Sequence, residues 1–323
     1  MSDDRPRQPS QLTIVIVNWN TRDLLGACLQ SVYATVRQHP FEVIVVDNAS
    51  SDGSIEYLRG SFPQVHVIET GANLGFARGN NVVLREAESE YILLLNPDTV
   101  VCEDAIDGLC DALAACPRLG AVGAQLLNPD GSLQHSWDQF PYLGREIPVM
   151  RSMAETPPVP VIVQHEGQDI NLMSVDWAKG ACLMLRREAL AQVGLLDEAY
   201  WLYTEETDWC CRARKQGWEI GVRPDARVVH IEQAASAQRL GRSFVNFADS
   251  RVLFVKKHQS RAAAWGVWSV FAARSLLFAL FPQKSYLGQY HGGYTKAQIR
   301  DAYLTFLRTW RDRALRRQPS LQH

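Results

Sequence analysis

The residues whose chemistry stands out lie where apolar runs stop. "YILLLNPDTVV" (Tyr91 to Val101) carries four apolar residues, Ile92 to Leu95, into Asn96-Pro97, which turns the chain and leaves the Asp98 carboxylate at a strand end. Carboxyl ends of strands are where open α/β sheets bind ligands. Taken alone, the same turn equally suits an aspartate capping a helix that begins near Glu103. Asn18 and Asn20 close the first apolar run, and Asp47 and Asn48 close the second, so polar groups collect on one sheet edge. Singly each is an ordinary turn residue; together they outline a crevice. "NLGFARGNN" (Asn73 to Asn81) reads as a loop whose Gly75, Arg78, Asn73 and Asn80 suit close approach to a polar, anionic ligand.

A nucleotide fits such an edge, yet neither G-x-G-x-x-G after the first strand nor G-x-x-x-x-G-K-[ST] occurs in the chain. That argues against a dehydrogenase and a P-loop enzyme. A diphosphate bound without a glycine-rich loop calls for a divalent cation, Mg²⁺ or Mn²⁺, held by few protein ligands, and Asp98 is the candidate for it.

The elements that must position these groups alternate. "LTIVIVNWN" is a buried strand; the helix after it places Leu24, Leu25, Cys28, Leu29, Val32 and Val36 on one face; strands follow at Phe41, at "VHVIET" and at Tyr91. This order predicts an α/β fold with a mainly parallel sheet, right-handed crossovers and flanking helices. After a helix at Glu103 to Cys116, Asn128-Pro129-Asp130-Gly131 reads as a turn between paired strands, which makes the sheet mixed. Tyr142 to Asn171 reads as one long loop. A strand and short helix span Trp177 to Gly194, "EETDWCCRARKQG" is a helix stopped by Gly217, and "VRPDARVVH" is a last strand ending in His230.

With 323 residues, 46% hydrophobic and 21% charged, the chain has room for one large domain and an appendage. A net charge of −2 gives no general reason to bind nucleic acid. The seven cysteines lack a C-x-x-C pair and suit a reducing cytosol, and the polar start "MSDDRPRQPS" reads as a disordered N-terminus (residues 1–11) without a signal peptide. Near the other end, "AAAWGVWSVFAARSLLFALF" (Ala262 to Phe281) holds one charge, Arg274. Its length matches a bilayer core of about 30 Å, but an interior arginine costs roughly 2.5 to 3.5 kcal/mol. The expectation is a helix lying in the membrane interface or packed on the protein, with Lys256, Lys257, Arg261 and Lys284 among anionic headgroups.

"TIVIVNWN", "VIVVDNASSDGS", "NLGFARGNN", "LLLNPDT", "KGACLMLRREAL", "VGLLDEAYWLYTEETDWCCRARKQGW" and "ARVVH", in that order, resemble the inverting family 2 glycosyltransferases of GT-A fold, most of all a bacterial rhamnosyltransferase-like branch. The resemblance, which spans roughly Leu12 to His230, implies a Rossmann-like catalytic domain over residues 12–240, with a nucleotide-sugar half (12–100) and an acceptor half (101–240); the apolar run near the end makes 241–323 a helical, membrane-associating region. It implies that Asp47 contacts the nucleotide base, that Asn96-Pro97-Asp98 stands where the family has its metal-holding Asp-x-Asp, and that His230 adds a metal ligand. The base falls on Glu206 of the Glu205-Glu206 pair, with Asp208 as rival. A helix start favours an ionised carboxylate there, and equally favours acidic residues in any helix. Trp177, Trp201 and Trp209 are candidates to stack on the acceptor's sugar faces, or are core residues. The donor implied is a dTDP or UDP sugar, rhamnose being one candidate, and the acceptor a saccharide or lipid-linked saccharide of cell-surface polysaccharide, met at the inner face of the plasma membrane. Two rival classes are a sugar nucleotidyltransferase, for which "NWNTRDLL" lacks a GxGxR loop, and a non-catalytic nucleotide-sugar-binding protein, which would not need the acidic pair.

Overall fold

β1 (Leu12–Asn18) has Leu12, Ile14, Val15 and Ile16 fully buried, as a strand covered on both faces requires. The computed structural model describes residues 10–147, 157–231, 240–282 and 295–316. β1 lies between β2 (Phe41–Asp47) and β4 (Tyr91–Leu95), parallel to both, and β2 carries β3 (His66–Glu69) on its outer side. The β1–β2 register sets Asn18 opposite Asp47, so both polar ends meet at one edge. α1 (Arg22–Thr35) buries Leu25, Cys28, Leu29 and Val32, the i, i+3, i+4, i+7 stripe expected of a helix on a sheet. α2 (Ser54–Ser61) crosses from β2 to β3.

"NLGFARGNN" is not a loop. α3 (Gly75–Leu84) begins inside it, and Gly79 brings the helix so close to β1 that a β-carbon there would stand 2.9 Å from Val17. Of its two glycines, Gly79 is used for this packing and Gly75 for a close approach to Trp201. The helix-cap alternative for Asp98 also falls: Thr99–Val101 forms a short strand, β5, ahead of α4 (Ala105–Ala115).

β6 (Leu119–Leu127) follows, then a tight turn. Gly131 takes φ +81° there, Asn128 N–H donates to Ser132 O at 2.8 Å, and a single bridge joins Leu127 to Leu133. The expected pair of strands is thus one bridge. A two-residue β7 (Trp137–Asp138) pairs with β10 (Trp177–Ala178). The expected long loop contains α5 (Leu143–Glu146) and a hairpin of β8 (Val159–His165) and β9 (Gln168–Ser174), closed by Glu166 at φ +49° and Gly167 at φ +80°. β8 is a sheet edge that leaves Val159 and Ile162 exposed, so it shows no buried-face periodicity.

β11 (Cys182–Arg186) runs antiparallel between β4 and β6, and β12 (Glu219–His230) runs parallel to β6 and antiparallel to β5 and β9. The sheet order is β3-β2-β1-β4-β11-β6-β12-β9-β8, with β5 on the end of β12. α6 (Arg187–Val193) and α7 (Glu205–Lys215) complete this unit, which takes described residues 10–140, 157–201 and 205–231.

A second unit takes described residues 141–147, 202–204, 240–282 and 295–316. It contains α8 (Leu240–His258), α9 (Arg261–Leu280) and α10 (Lys296–Arg316). Phe244 holds them together, with Phe271, Tyr303 and Phe306 packed edge-on at 6.1, 4.9 and 5.7 Å. Ser260 caps α9 by accepting from Ala263 N–H at 3.0 Å. Arg274 lies over the Phe278 ring at 6.0 Å, which gives the charge inside the apolar run a partner. Lys284 lies outside the described residues.

Gly75 has φ +77°, and a β-carbon on it would stand 2.6 Å from Trp201 O. Gly75→Ala is therefore expected to lower the unfolding free energy by about 1 to 3 kcal/mol in a urea titration, and an unchanged midpoint would show that the corner relaxes freely.

Candidate functional site

The polar ends of β1 and β2 bond to one another. Asn18 Nδ2 donates to Asp47 Oδ1 at 2.9 Å and to Ser50 Oγ at 3.0 Å, Thr21 Oγ1 donates to Asn18 Oδ1 at 2.6 Å, and Ser50 N–H donates to Asp47 Oδ2 at 2.8 Å. Asp47 is fully buried with both oxygens engaged. Asp47 thereby fixes the loop Asn48–Ser50. Asn20, at φ +54°, accepts from Ser51 N–H at 2.7 Å. Beside it a polar cleft of about 240 Å³ is lined by Asn20, Thr21, Arg22, Asp23, Leu24 and Asp52.

Asn48 Nδ2 donates to Gly75 O at 3.1 Å, and Asn73 Oδ1 accepts from Gly75 N–H at 2.9 Å, so Asn48, Asn73 and Gly75 form one corner. Asn80 is buried and donates to Phe76 O within its own helix, which removes it as a ligand contact. Arg78 faces Glu198 at 3.6 Å, and Arg85 pairs with the same carboxylate.

Asp98 and His230 come together from distant parts of the chain. His230 Nε2 stands 3.5 Å from Asp98 Oδ1, and Ile231 N–H donates to Asp98 O at 2.9 Å. His230 is 6% exposed, and its other ring nitrogen lies 2.8 Å from Gln134 Oε1. Gln134 Nε2 donates to His230 O at 3.2 Å and to Asn128 Oδ1 at 3.0 Å, which leaves Oε1 to accept and puts the ring proton on Nδ1. Nε2 then faces Asp98, with Asn96 Nδ2 at 3.4 Å from the same nitrogen. Carboxylate oxygen beside an oriented imidazole nitrogen is a donor set suited to Mn²⁺ or Mg²⁺. Among the described residues no cluster holds three or more such ligands, so a cation there would take its remaining ligands from water or a phosphate. Cys28 donates to Asn96 O at 3.6 Å beneath this turn, and burial pushes its thiol up to about 12, so it offers no thiolate.

α7 starts after Tyr203 and Thr204, both left-handed at φ +70° and +73°, a strained entry for non-glycine residues. Glu206 lies over the Gly180 backbone: a β-carbon on Gly180 would stand 3.6 Å from Glu206 Cγ and from Phe76. The next residue, Ala181, accepts from Asn96 N–H at 2.9 Å. Glu206 is thus linked through two residues to the turn that carries Asp98. Glu205 is buried, and its Oε2 has no hydrogen-bond partner. Burial holds its carboxyl well above the usual carboxylate range, and the Glu206 charge adds to this.

Asp208 does not share this environment. It is fully buried, accepts from Arg212 Nε at 2.8 Å and Tyr200 Oη at 3.2 Å, and Arg212 also donates to Val193 O and Leu195 O. Its oxygens are committed to holding the helix start, which removes it as the rival base. Trp209 is likewise fully buried, with its indole N–H on Gly194 O, and Trp177 is 6% exposed with its N–H on Gln139 O. Both are packing residues and not stacking faces. Trp201 is partly exposed beside Gly75 and remains the one stacking candidate of the three. Gln134, Asn128, Gly180 and Phe76 were not legible as site residues, because each acts through a contact made across the sheet.

These features meet a consistent set of likenesses. A family model described as "Glycosyl transferase family 2" matches residues 13–194. N-acetylglucosaminyl-diphospho-decaprenol L-rhamnosyltransferase of Mycobacterium tuberculosis is 31% identical over 232 residues, 68% of this chain and 75% of that protein. The low-salt glycan biosynthesis hexosyltransferase Agl10 of Haloferax volcanii is 28% identical over 248 residues, 76% of this chain and 74% of that one. Mannosyltransferase PcManGT from Pyrobaculum calidifontis, solved in complex with GDP-Man and Mn²⁺, matches with TM-score 0.56 and 17% identity over 97% of this chain and 89% of that one, a likeness of GT-A fold.

Two stability measurements separate the acidic residues. Asp208→Asn is expected to lower the unfolding free energy by roughly 2 to 3 kcal/mol, since Arg212 loses its buried partner, whereas Glu206→Gln should change it by less than about 1 kcal/mol. Equal losses in denaturant titrations would reject the distinction. The folded state binds the Glu205 proton more tightly than the unfolded chain, so its contribution is intact below the ordinary 4.5 and is lost as pH rises through the raised value. Thermal melts of Glu205→Gln should accordingly lose less Tm than the parent between pH 5 and pH 8; parallel losses would place the drain elsewhere.

Proposed function

The chain belongs to glycosyl transferase family 2, and from that premise we propose that this glycosyltransferase moves a sugar from a nucleoside diphosphate to an acceptor hydroxyl with inversion. The observation that carries the reading is the meeting of Asp98 and His230 at 3.5 Å, linked through Asn96 and Ala181 to Glu206. Asp98 and His230 would hold Mn²⁺ or Mg²⁺, which when bound neutralises charge on the diphosphate. Glu206 accepts the proton of the acceptor hydroxyl as its oxygen bonds to the anomeric carbon; the bond to the diphosphate oxygen breaks, and the nucleoside diphosphate leaves with the electron pair. Gln134 keeps His230 in the tautomer with Nε2 free.

The name of the M. tuberculosis relative supports rhamnose as the sugar and a lipid-linked saccharide as the acceptor; dTDP or UDP as the carrier nucleotide and cell-surface glycan as the product complete the proposal. A lipid-linked acceptor places the protein on a membrane surface. α9 fits such a surface by lying along it: Trp265, Leu276, Leu277 and Leu280 are 50 to 72% exposed on one side, and Lys256, Lys257 and Arg261 flank its start.

Incubation with a panel of nucleotide sugars, with Mn²⁺ or with chelator, tests the reading through release of free nucleoside diphosphate; pyrophosphate chemistry, or binding without turnover, would replace it. Glu206→Gln should lower kcat by roughly 10² to 10⁴ with donor affinity nearly intact, and Asp98→Ala should abolish the Mn²⁺-dependent part of nucleotide binding. Parent-like turnover in either variant would return that residue to a structural role.

A further inference from the structure

Within the helical unit, α8, α9 and α10 enclose a cavity of about 420 Å³ that shares no residue with the site above. That volume is in the range of small-molecule sites. Three of the chain's nine tryptophans line it, an excess that core packing does not explain, because Trp265 and Trp310 keep 66% and 38% of their surface exposed. Trp268 and Trp310 pack as a tilted pair with centroids 4.5 Å apart and planes at 33°, and Trp265 meets Trp268 edge-on at 6.0 Å. Val252 extends the apolar wall.

One end of the cavity is cationic. Lys256 closes α8 and Arg261 opens α9, so both sit at the turn between the two helices; both are exposed, and among the described residues neither is in an ion pair. Asp249, the acidic residue lining the cavity, is seven residues before Lys256 on α8, or roughly 10 Å along the axis. The cavity is therefore mainly apolar, with Asp249 and Thr309 as the polar exceptions in its wall besides the cationic mouth, and it is the complement of an amphiphile with an anionic head. Trp265 belongs both to this wall and to the exposed stripe of α9, so a chain leaving a bilayer beneath that stripe meets the cavity without crossing water.

We propose that this cavity is a binding site for the isoprenoid diphosphate carrying the acceptor, with the prenyl chain against Trp265, Trp268 and Trp310 and the diphosphate on Lys256 and Arg261. It rests on the lipid-linked acceptor reading given above. It assigns the lipid a handle separate from the crevice in which the sugar is transferred, so a saccharide presented without a lipid would lose affinity and keep its chemistry.

Farnesyl diphosphate is the probe, added to the full-length protein while tryptophan fluorescence is followed, with farnesol and inorganic pyrophosphate as half-ligands. UDP and dTDP binding with Mn²⁺ is measured on the same samples by thermal shift, and reports separately on the glycosyltransferase reading. Farnesyl diphosphate should quench saturably and bind more tightly than either half-ligand. The Lys256→Ala, Arg261→Ala double variant should weaken it about tenfold or more while nucleotide binding stays unchanged, since two charge-assisted contacts are lost at an exposed, readily folded position. Trp268→Ala should weaken it as well, provided its melt shows a folded protein. Absence of saturable quenching, equal affinity in the double variant, displacement by UDP, or equal displacement by phosphatidylglycerol vesicles would each overturn the proposal; the last two would reassign the probe to the transfer crevice and the cavity to ordinary membrane lipid.

Discussion

Three residue pairs of backbone register hold Asp98 and His230 side by side. β5 lies antiparallel on the end of β12 with Val101 opposite Val228, Val100 opposite Val229 and Thr99 opposite His230. Because side chains alternate faces along a strand, a slip of one residue would turn His230 away from Asp98. The register is reached only because β12 is irregular: Arg223 pairs with Ala124 and Arg227 with Gln125, so Pro224 to Ala226 are extra residues on one side of the ladder. Such a bulge re-aims the strand that follows it. β12 keeps pairing with β6 beyond the bulge, Val228 opposite Leu126 and Val229 opposite Leu127, while its other edge takes up β5.

The rest of the crevice is built to need no ligand for its own stability. Asn18, Asp47, Ser50 and Thr21 satisfy one another, Arg78 has Glu198, and Asp208 has Arg212 and Tyr200. Polar groups that would be costly to bury alone are thereby made into a rigid floor. At the rim of this floor stand Asn20, Asn73 and the partly exposed Trp201, along with the Asp98 and His230 pair.

Much of this was legible in the sequence. Leu12 to Asn18, Phe41 to Asp47 and Tyr91 to Leu95 announce strands buried on both faces, and the carboxyl ends of those strands do carry the polar cluster. The failures have one physical cause. Sequence patterns report which faces are buried, and cannot distinguish a polar or small residue that meets a ligand from one that meets another part of the fold. Gly79 reads the same whether a phosphate or Val17 approaches it, Asp208 reads the same whether free or paired with Arg212, and Trp209 reads the same at a sugar or in a core. β8 escaped for the converse reason: an edge strand with both faces exposed has no burial pattern to display. The Asp98 and His230 pair was the opposite case, since strand-end positions are set by the sheet itself.

The contrast between Glu205 and Glu206 bears on why a chain would place two carboxylates at one strained helix start. Adjacent charges oppose each other's ionisation, and the cost rises as water is excluded. Glu205, buried with an unpartnered oxygen, is pushed toward its neutral form, and a neutral Glu205 removes the like charge that would otherwise act on Glu206. The left-handed backbone at Tyr203 and Thr204 is what lets the helix begin with its first carboxyl turned inward and its second against Gly180. Burial of one acid thus sets two identical side chains apart by environment and not by residue type.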